Sequence, residues 1–228
     1  MKTAVIFPGQ GSQYVGMGHD FYKKYYSSKE IYEELDQLLE RNITDLIFSG
    51  NEAELSKTEN SQPAIMATSV AILKALYSEN LLSSNSFEAV AGHSLGEYTS
   101  LVANESIGFK ESVKLLKARS KAMQESMPLG TGGMIALIGC QKEIIKEVIK
   151  SSSKYGKIYE ANDNAIGQVV LSGEIKAIHF ILENVKKLGI RKAIKLPVSA
   201  PFHCELMMHA SDVMKEELND IKYNHFKV

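Results

Sequence analysis

The sequence predicts an α/β protein in which a smaller, ferredoxin-like subdomain is inserted into a larger domain. In the larger domain, a short apolar run is followed by a glycine-containing loop and a helix, once near the N-terminus and again near residue 91. The subdomain is predicted by the order strand, helix, strand, strand, helix, strand over about residues 132–198. We therefore expect a core made of residues 1–130 and 200–228 and an insert made of residues 131–199.

The composition is typical of a globular protein and argues against several functional classes. The 228 residues are 44% hydrophobic and 23% charged, with a net charge of −1. Such a chain can fill a core, and it lacks the basic surplus that general nucleic-acid binders usually need. No apolar run approaches the roughly 18 residues of a membrane helix, and the apolar start is too short for a secretory signal. Two cysteines, Cys140 and Cys204, predict neither a disulfide framework nor a zinc site, so we expect a cytoplasmic setting and no metal.

The elements of the larger domain follow from apolar runs and from apolar residues at helical spacing. The first strand is predicted at residues 3–7, where β-branched and aromatic residues end at a Pro-Gly pair. A capping box formed by Ser27 and Glu30 predicts the start of the first long helix, and Pro63 predicts the start of another. A second strand is expected at residues 87–91, and further helices at residues 62–76, from 97 onward, at 109–124 and at 204–218.

The insert begins after a glycine-rich patch, residues 130–133, which we expect to be a linker. Its helices are predicted at residues 142–149 and 176–188, the second ending before Gly189, a residue type favoured just beyond a helix. Its strands are predicted at residues 134–138, 157–161, 168–171 and 191–198.

The strongest functional signal is Gly92-His93-Ser94-Leu95-Gly96, a G-x-S-x-G pattern between a predicted strand and a predicted helix. In that context a tight turn exposes the Ser94 hydroxyl at the carboxyl end of the strand. The backbone N–H of Leu95 lies at the helix start, where the helix dipole favours a developing oxyanion. The pattern therefore predicts a nucleophilic serine, and a glycine-rich turn without chemistry is the alternative.

A second glycine-rich loop, residues 8–13, follows the first strand. It fails the dinucleotide pattern G-x-G-x-x-G, because Tyr14 stands where the third glycine belongs, and no Walker lysine follows. The glycines could let backbone N–H groups approach a substrate carbonyl closely. An ordinary strand-to-helix turn without a ligand is the alternative.

A nucleophilic serine needs a base, and His203 is the best candidate, because it follows an apolar strand in a segment that a loop would project. Spacing does not exclude the other histidines, which are His19, His93, His179, His209 and His225. We do not expect Cys204 to be a nucleophile paired with its neighbour His203, because adjacent side chains of an extended chain point to opposite sides.

Arg119 lies in a predicted helix that is rich in lysine, including Lys114 and Lys117. A solvated helix face explains the lysines well. An arginine shortly after the serine motif could instead hold a substrate carboxylate through two hydrogen bonds.

Taken together, these segments resemble the malonyl-CoA:acyl carrier protein transacylases of fatty acid synthesis and the related acyltransferase domains of polyketide synthases. The resemblance covers nearly the whole chain in order. The matching segments are residues 7–13, Gln62-Pro63-Ala64, residues 92–98, Arg119, Met123-Gln124, residues 167–170 and residues 196–203.

The resemblance implies an α/β-hydrolase-like core with a ferredoxin-like insert. It implies transfer of a malonyl group from malonyl-CoA to the phosphopantetheine thiol of acyl carrier protein, with no cofactor, no nucleic-acid partner and no membrane insertion. Residue by residue, it implies a nucleophile at Ser94, a base at His203, oxyanion-binding amides at Gln10 and Leu95, and acyl-group contacts from Arg119 and Phe202. Phe202 matches the bulky residue of malonyl-selective relatives that would crowd an α-methyl group.

Members of the resembled family continue beyond the position that corresponds to Val228. The resemblance therefore implies that further core strands, and a glutamine-containing segment whose carbonyl orients the histidine, lie outside this sequence. A fragment with impaired catalysis is one alternative to the transferase. A serine esterase or thioesterase is another, since it would share the serine and the histidine without needing Arg119. A polyketide-type acyltransferase with a different acyl unit is the third.

Overall fold

The structure is mixed α and β, as predicted, and its chain divides into two compact units. The computed structural model describes residues 3–83, 86–198 and 200–226, so Ser199, in the segment before the candidate base, lies outside the described residues. One unit comprises Met1–Ser120 and Met214–Val228, and the other comprises Lys121–Val213.

The first unit contains a pair of parallel strands, β1 (Ala4–Phe7) and β2 (Ala89–Gly92). Their register places Phe7 beside Gly92, at the last position of each strand. Because the strands run in the same direction, the loops that follow them leave the sheet at the same end. One of these loops is the glycine-rich segment after β1, and the other carries Ser94.

The helices of the first unit form its larger apolar core. Its most buried side chains come from several of these helices and include Tyr32, Leu35, Ile47, Leu55 and Met66. In chain order the helices are α1 (His19–Lys24), α2 (Tyr26–Leu39), α3 (Ile43–Ser49), α4 (Glu52–Leu55), α5 (Thr58–Ser78), α6 (Gly96–Ala103) and α7 (Phe109–Glu125), whose last turn belongs to the second unit.

Helix α5 starts four residues earlier than Pro63 suggested, and it holds that proline in its interior. A proline has no N–H, so the carbonyl oxygen of Glu59, four residues earlier, lacks its usual helical partner. The Arg41 guanidinium donates to that oxygen at 3.1 Å. A side chain distant in sequence thus replaces the missing backbone bond, which sequence spacing alone could not reveal.

The predicted capping box at the start of α2 is wrong. The helix begins at Tyr26, one residue before Ser27, and its N-cap residue, Tyr25, makes no side-chain capping bond. The Ser27 hydroxyl instead lies 3.4 Å from that of Ser78 on α5.

The second unit contains a four-stranded antiparallel sheet with the strand order β4-β5-β3-β6. Its strands are β3 (Gly132–Ile138), β4 (Ile158–Ala165), β5 (Gln168–Glu174) and β6 (Lys192–Lys195). Its helices are α8 (Lys142–Ser152), α9 (Ile175–Glu183) and the first half of α10 (Met208–Asn219), with single 3-10 turns at Ser153–Tyr155 and Glu205–Met207.

Strand β3 separates two apolar clusters, because alternate side chains of a strand point to opposite faces. Ile135 and Leu137 pack in a cluster with residues of α8 and α9. Met134 and Ala136 pack in another with Phe202, which is 4% exposed. The residue before the candidate base is therefore part of this unit's core.

Two boundaries of the second unit differ from expectation. The glycine patch is only partly a linker, because Gly132 and Gly133 pair with β5 in the sheet. A Cβ atom at Gly132 would lie 2.4 Å from Pro201 Cδ, so the strand accepts no side chain there. Helix α9 ends at Glu183, earlier than predicted, and turns lead from there to Gly189, whose φ is 70°.

Candidate active site

Ser94 lies in a tight turn between β2 and α6. Its φ is 56°, in the left-handed region that residues other than glycine adopt only under constraint. Backbone hydrogen bonds hold the turn: the N–H of His93 donates to Phe7 O at 3.1 Å, and the N–H of Gly96 donates to His93 O at 3.0 Å. The local geometry is the strained strand-to-helix turn that the G-x-S-x-G pattern predicts.

Three glycines allow this close approach of backbone to backbone. A Cβ atom at Gly92 would lie 1.9 Å from the carbonyl carbon of Gly96, and one at Gly96 would lie 2.5 Å from Phe7 O. A Cβ atom at Gly9 would lie 2.7 Å from the backbone oxygen of His93. The turn and the two strands before it can therefore pack in this way only without side chains at these positions.

The variant Gly96→Ala tests this packing. We expect the added methyl group to lower the free energy of unfolding by about 1–3 kcal/mol, because it meets rigid backbone. The higher helix propensity of alanine offsets part of this loss. A urea titration measures the change. Gly133→Ala is the control, because its Cβ would meet only Ile175 Cδ1, at 3.4 Å. An equal effect of the two substitutions would contradict the packing explanation.

Two backbone N–H groups of the first unit are suited to binding an oxyanion. Gln10 lies in the loop after β1, and Leu95 directly precedes α6. Among the residues that the structure describes, neither N–H has a hydrogen-bond acceptor. The Leu95 side chain is fully buried, which fixes the position of its amide.

Arg119 lies on α7 with its guanidinium turned into the protein, whereas Lys110, Lys114 and Lys117 of the same helix are exposed. Its Nη2 donates to Ser94 Oγ at 3.0 Å, and the guanidinium carbon lies 5.6 Å from the centre of the Tyr98 ring. Arg119 is therefore not part of the solvated helix face and directly contacts the candidate nucleophile.

Burial dominates the electrostatics of Arg119. It lowers the pKa of the guanidinium, while the nearby Tyr98 and Glu97 act in the opposite direction. The Tyr98 hydroxyl in turn has a raised pKa, chiefly through burial, and stays neutral. Within the described part of the chain, no carboxylate forms an ion pair with Arg119. A partly desolvated cation thus lies beside the serine hydroxyl.

A buried glutamine connects Arg119 to the loop after β1. Gln62 is fully buried on α5, and its Oε1 accepts a hydrogen bond from Arg119 Nη1 at 2.8 Å. Its Nε2 donates to Gln10 Oε1 at 3.5 Å, and Gln10 Nε2 donates to Thr58 Oγ1 at 3.3 Å. The motif Gln62-Pro63-Ala64 alone predicts no role for this side chain.

His203 and Phe202 belong to the second unit. His203 is exposed and has a φ of 59°, so it too adopts the left-handed conformation. Its neighbour Cys204 donates a hydrogen bond to Pro201 O at 3.1 Å, and burial raises the pKa of its thiol. A raised pKa disfavours the thiolate, in keeping with the expectation that Cys204 is not a nucleophile.

The structure thus brings Ser94, Arg119, Leu95 and Gln10 together in the first unit, and it places His203 and Phe202 in the second. In the described residues, no group of three or more His, Cys, Asp or Glu side chains could hold a metal ion. None of the helices in residues 3–83, 86–198 and 200–226 is both long and apolar enough to cross a membrane.

A family model, curated relatives and solved structures all relate this chain to acyltransferases. A family model described as "Acyl transferase domain" matches residues 4–228. The malonyl CoA-acyl carrier protein transacylase of Bacillus subtilis (strain 168) is 40% identical over 224 residues, which are 97% of this chain and 69% of the relative.

Solved structures agree with the sequence match. The crystal structure of the malonyl CoA-acyl carrier protein transacylase from Clostridium perfringens is 42% identical, with a TM-score of 0.87 over 99% of this chain and 70% of that one. A type II PKS acyl-carrier protein in complex with its malonyl-transacylase gives 36% identity and a TM-score of 0.92, over 100% of this chain and 72% of that one. The resemblance predicted from the motifs is confirmed: the chain belongs to the acyl transferase domain family, within which it is related to the malonyl CoA-acyl carrier protein transacylases.

Proposed function

We propose that this chain transfers a malonyl group from malonyl-CoA to the phosphopantetheine thiol of acyl carrier protein, for fatty acid biosynthesis, through a malonyl-Ser94 intermediate. The observation that carries the proposal is the contact of 3.0 Å between Arg119 Nη2 and Ser94 Oγ. A partly buried cation next to a nucleophilic hydroxyl suits an acyl group that bears its own carboxylate. The names of the relatives, and the complex of one of them with an acyl-carrier protein, support both the substrate and the partner.

The proposed fold is an α/β-hydrolase-like core, residues 1–130 and 200–228, with a ferredoxin-like insert, residues 131–199. The parallel pair β1-β2 and the strained turn after β2 support the core. The strand order β4-β5-β3-β6, with a helix after β3 and another after β5, supports the insert.

In the first half-reaction, Ser94 Oγ attacks the thioester carbonyl of malonyl-CoA while His203 accepts the hydroxyl proton. The backbone N–H groups of Gln10 and Leu95 bind the oxyanion of the tetrahedral intermediate, and loss of one such donor typically costs roughly 3–4 kcal/mol of barrier. The intermediate collapses, the carbon–sulfur bond breaks, and the protonated His203 gives its proton to the departing coenzyme A thiolate. Malonyl-Ser94 remains as an ester.

In the second half-reaction, the phosphopantetheine thiol of acyl carrier protein attacks the ester carbonyl. His203 accepts the thiol proton and returns it to Ser94 Oγ when the ester bond breaks. The products are malonyl-acyl carrier protein and the free enzyme, so the kinetics are ping-pong. Proton transfer and oxyanion binding suffice for this chemistry, and we propose that it uses no cofactor.

Arg119 and Phe202 select the acyl group in this proposal. A malonyl carboxylate that leaves water needs a cation in return, which the Arg119 guanidinium supplies through two parallel hydrogen bonds. Phe202, held in the core of the second unit, limits space for a branch on the α-carbon.

Intact-protein mass spectrometry after mixing with malonyl-CoA tests the proposal. We expect one malonyl group per chain, located on the peptide that contains Ser94, and its disappearance when holo-acyl carrier protein is added. Rapid release of free malonate without carrier protein would instead indicate a thioesterase. A chain that never acquires the malonyl group would be the impaired fragment.

A further inference from the structure

We propose that Gln62 is a positioning residue that aims the Arg119 guanidinium at the acyl carboxylate without neutralising it. This role rests on the proposed function, because it concerns selection of the malonyl group. Gln62 does not touch the reacting atoms in the proposed mechanism, and it acts only through Arg119.

The first observation is that two contacts fix the plane of the guanidinium. Arg119 Nη1 donates to Gln62 Oε1 at 2.8 Å, and Nη2 donates to Ser94 Oγ at 3.0 Å. A guanidinium is planar, so two partners on different nitrogens determine its orientation as well as its position. Without Gln62, the Ser94 hydrogen bond and the Tyr98 ring would still contact the guanidinium, but Nη1 would lose the partner that fixes its direction.

The second observation is that the Gln62 amide is itself fixed. Its Nε2 donates to Gln10 Oε1 at 3.5 Å, and Gln10 Nε2 donates to Thr58 Oγ1 at 3.3 Å. With the amide nitrogen directed towards Gln10, the amide oxygen faces Arg119. The loop that supplies one proposed oxyanion donor is thereby linked to the group that would bind the carboxylate.

The third observation concerns charge. Glutamine accepts a hydrogen bond as glutamate would, but it carries no charge. Within the described residues, Arg119 has no carboxylate in an ion pair, although the guanidinium is partly buried and its pKa is lowered by desolvation. A glutamate at position 62 would occupy the guanidinium with a permanent internal counter-ion, and the substrate carboxylate would have to compete with it.

The variants Gln62→Glu and Gln62→Ala test the role, each with Ser94 retained, because Ser94 Oγ is the other hydrogen-bond partner of the Arg119 guanidinium. Binding is measured with stable analogues of malonyl-CoA and acetyl-CoA, in which an amide nitrogen replaces the thioester sulfur so that Ser94 is not acylated. We expect either substitution to weaken binding of malonyl-CoA by roughly 10- to 100-fold, the range of a hydrogen bond to a charged group. Binding of acetyl-CoA, which has no acyl carboxylate, should stay within about twofold. Isothermal titration calorimetry measures both affinities, and thermal melting shows whether each variant is folded.

The control is Ser61→Ala, again with Ser94 retained. Ser61 is the neighbouring residue of α5, is fully buried, and its hydroxyl has no hydrogen-bond partner among the described residues. Ser61→Ala therefore shows the effect of a substitution in α5 that leaves Arg119 untouched. The affinities for the malonyl and the acetyl compound should both remain unchanged. If the Gln62 variants weaken malonyl-CoA and acetyl-CoA binding equally, Gln62 is merely structural and the inference is overturned.

The same titrations separate this inference from the proposed function. If the unsubstituted chain already binds the malonyl-CoA analogue no more tightly than the acetyl-CoA analogue, carboxylate selection by Arg119 fails, and the role of Gln62 fails with it. If the unsubstituted chain binds the malonyl compound more tightly than the acetyl compound, and both Gln62 variants keep the same ratio of affinities, only the positioning role is wrong. Should Gln62→Glu fail to fold, Gln62→Ala carries the same test.

Discussion

Ser94→Ala is expected to stop acylation of the chain and to lower kcat for malonyl transfer by a factor on the order of 10⁴–10⁶. The expectation follows from the proposed mechanism, in which no other group can form the ester. Alanine and serine both carry a Cβ atom, so the positive φ at position 94 strains the backbone equally in both. Thermal stability should therefore change little. The measurement combines steady-state transfer to holo-acyl carrier protein with intact mass after exposure to malonyl-CoA.

Ser100→Ala is the matched control for the serine substitution. Ser100 lies on α6, and its hydroxyl donates to the carbonyl oxygen of Glu97 within the same helix. Its loss should leave transfer within about twofold of the unmodified chain, since surface substitutions usually change stability by less than about 0.5 kcal/mol. A Ser94→Ala chain that still acquires a malonyl group would place the nucleophile elsewhere.

Arg119→Ala is expected to raise the barrier for malonyl transfer by about 2–5 kcal/mol, because a carboxylate bound there would lose the cation that faces it. Acetyl transfer should be affected far less, since an acetyl group brings no charge into the site. The ratio of kcat/KM for malonyl-CoA to that for acetyl-CoA measures the effect without requiring equal stability of the variants. Lys117→Ala, an exposed position on the same helix, should leave the ratio unchanged.

Arg119→Lys separates the effect of the charge from the effect of the planar guanidinium. Lysine keeps the charge but cannot bond Ser94, Gln62 and a carboxylate with one rigid plane. We therefore expect only partial recovery of malonyl transfer. Equal losses of malonyl and acetyl transfer in Arg119→Ala would show that the arginine supports the fold of the turn instead of selecting the acyl group.

The parts of the candidate site that the sequence predicted are local. The G-x-S-x-G turn is defined by five consecutive residues and by the strand and helix that flank it, so its geometry could be expected at Ser94. The parallel pairing of β1 and β2, which the motifs did not predict, then places the loop of Gln10 beside it. The orientation of Arg119 was left open, because helix spacing does not show which face of α7 a core will cover.

The parts that the sequence missed depend on contacts between distant segments. Gln62 meets Arg119, which lies 57 positions away along the chain. The early start of α5 depends on Arg41, which satisfies the carbonyl that Pro63 leaves without a partner. No periodicity or short motif encodes such pairings. A polar residue in a buried helix, next to a proline, was the available signal at position 62.

The backbone at Ser94 and His203 has a further consequence. Both residues have φ values near 60°. The other described residues, apart from glycines, that adopt this conformation are Glu40, Asn80 and Glu105, and they lie one or two positions beyond a helix end. Glycine would relax the chain at either position, because it has no Cβ to oppose a positive φ. Protein engineers who rank variants of this scaffold by heat resistance alone would therefore favour glycine at both positions and discard the proposed catalytic pair.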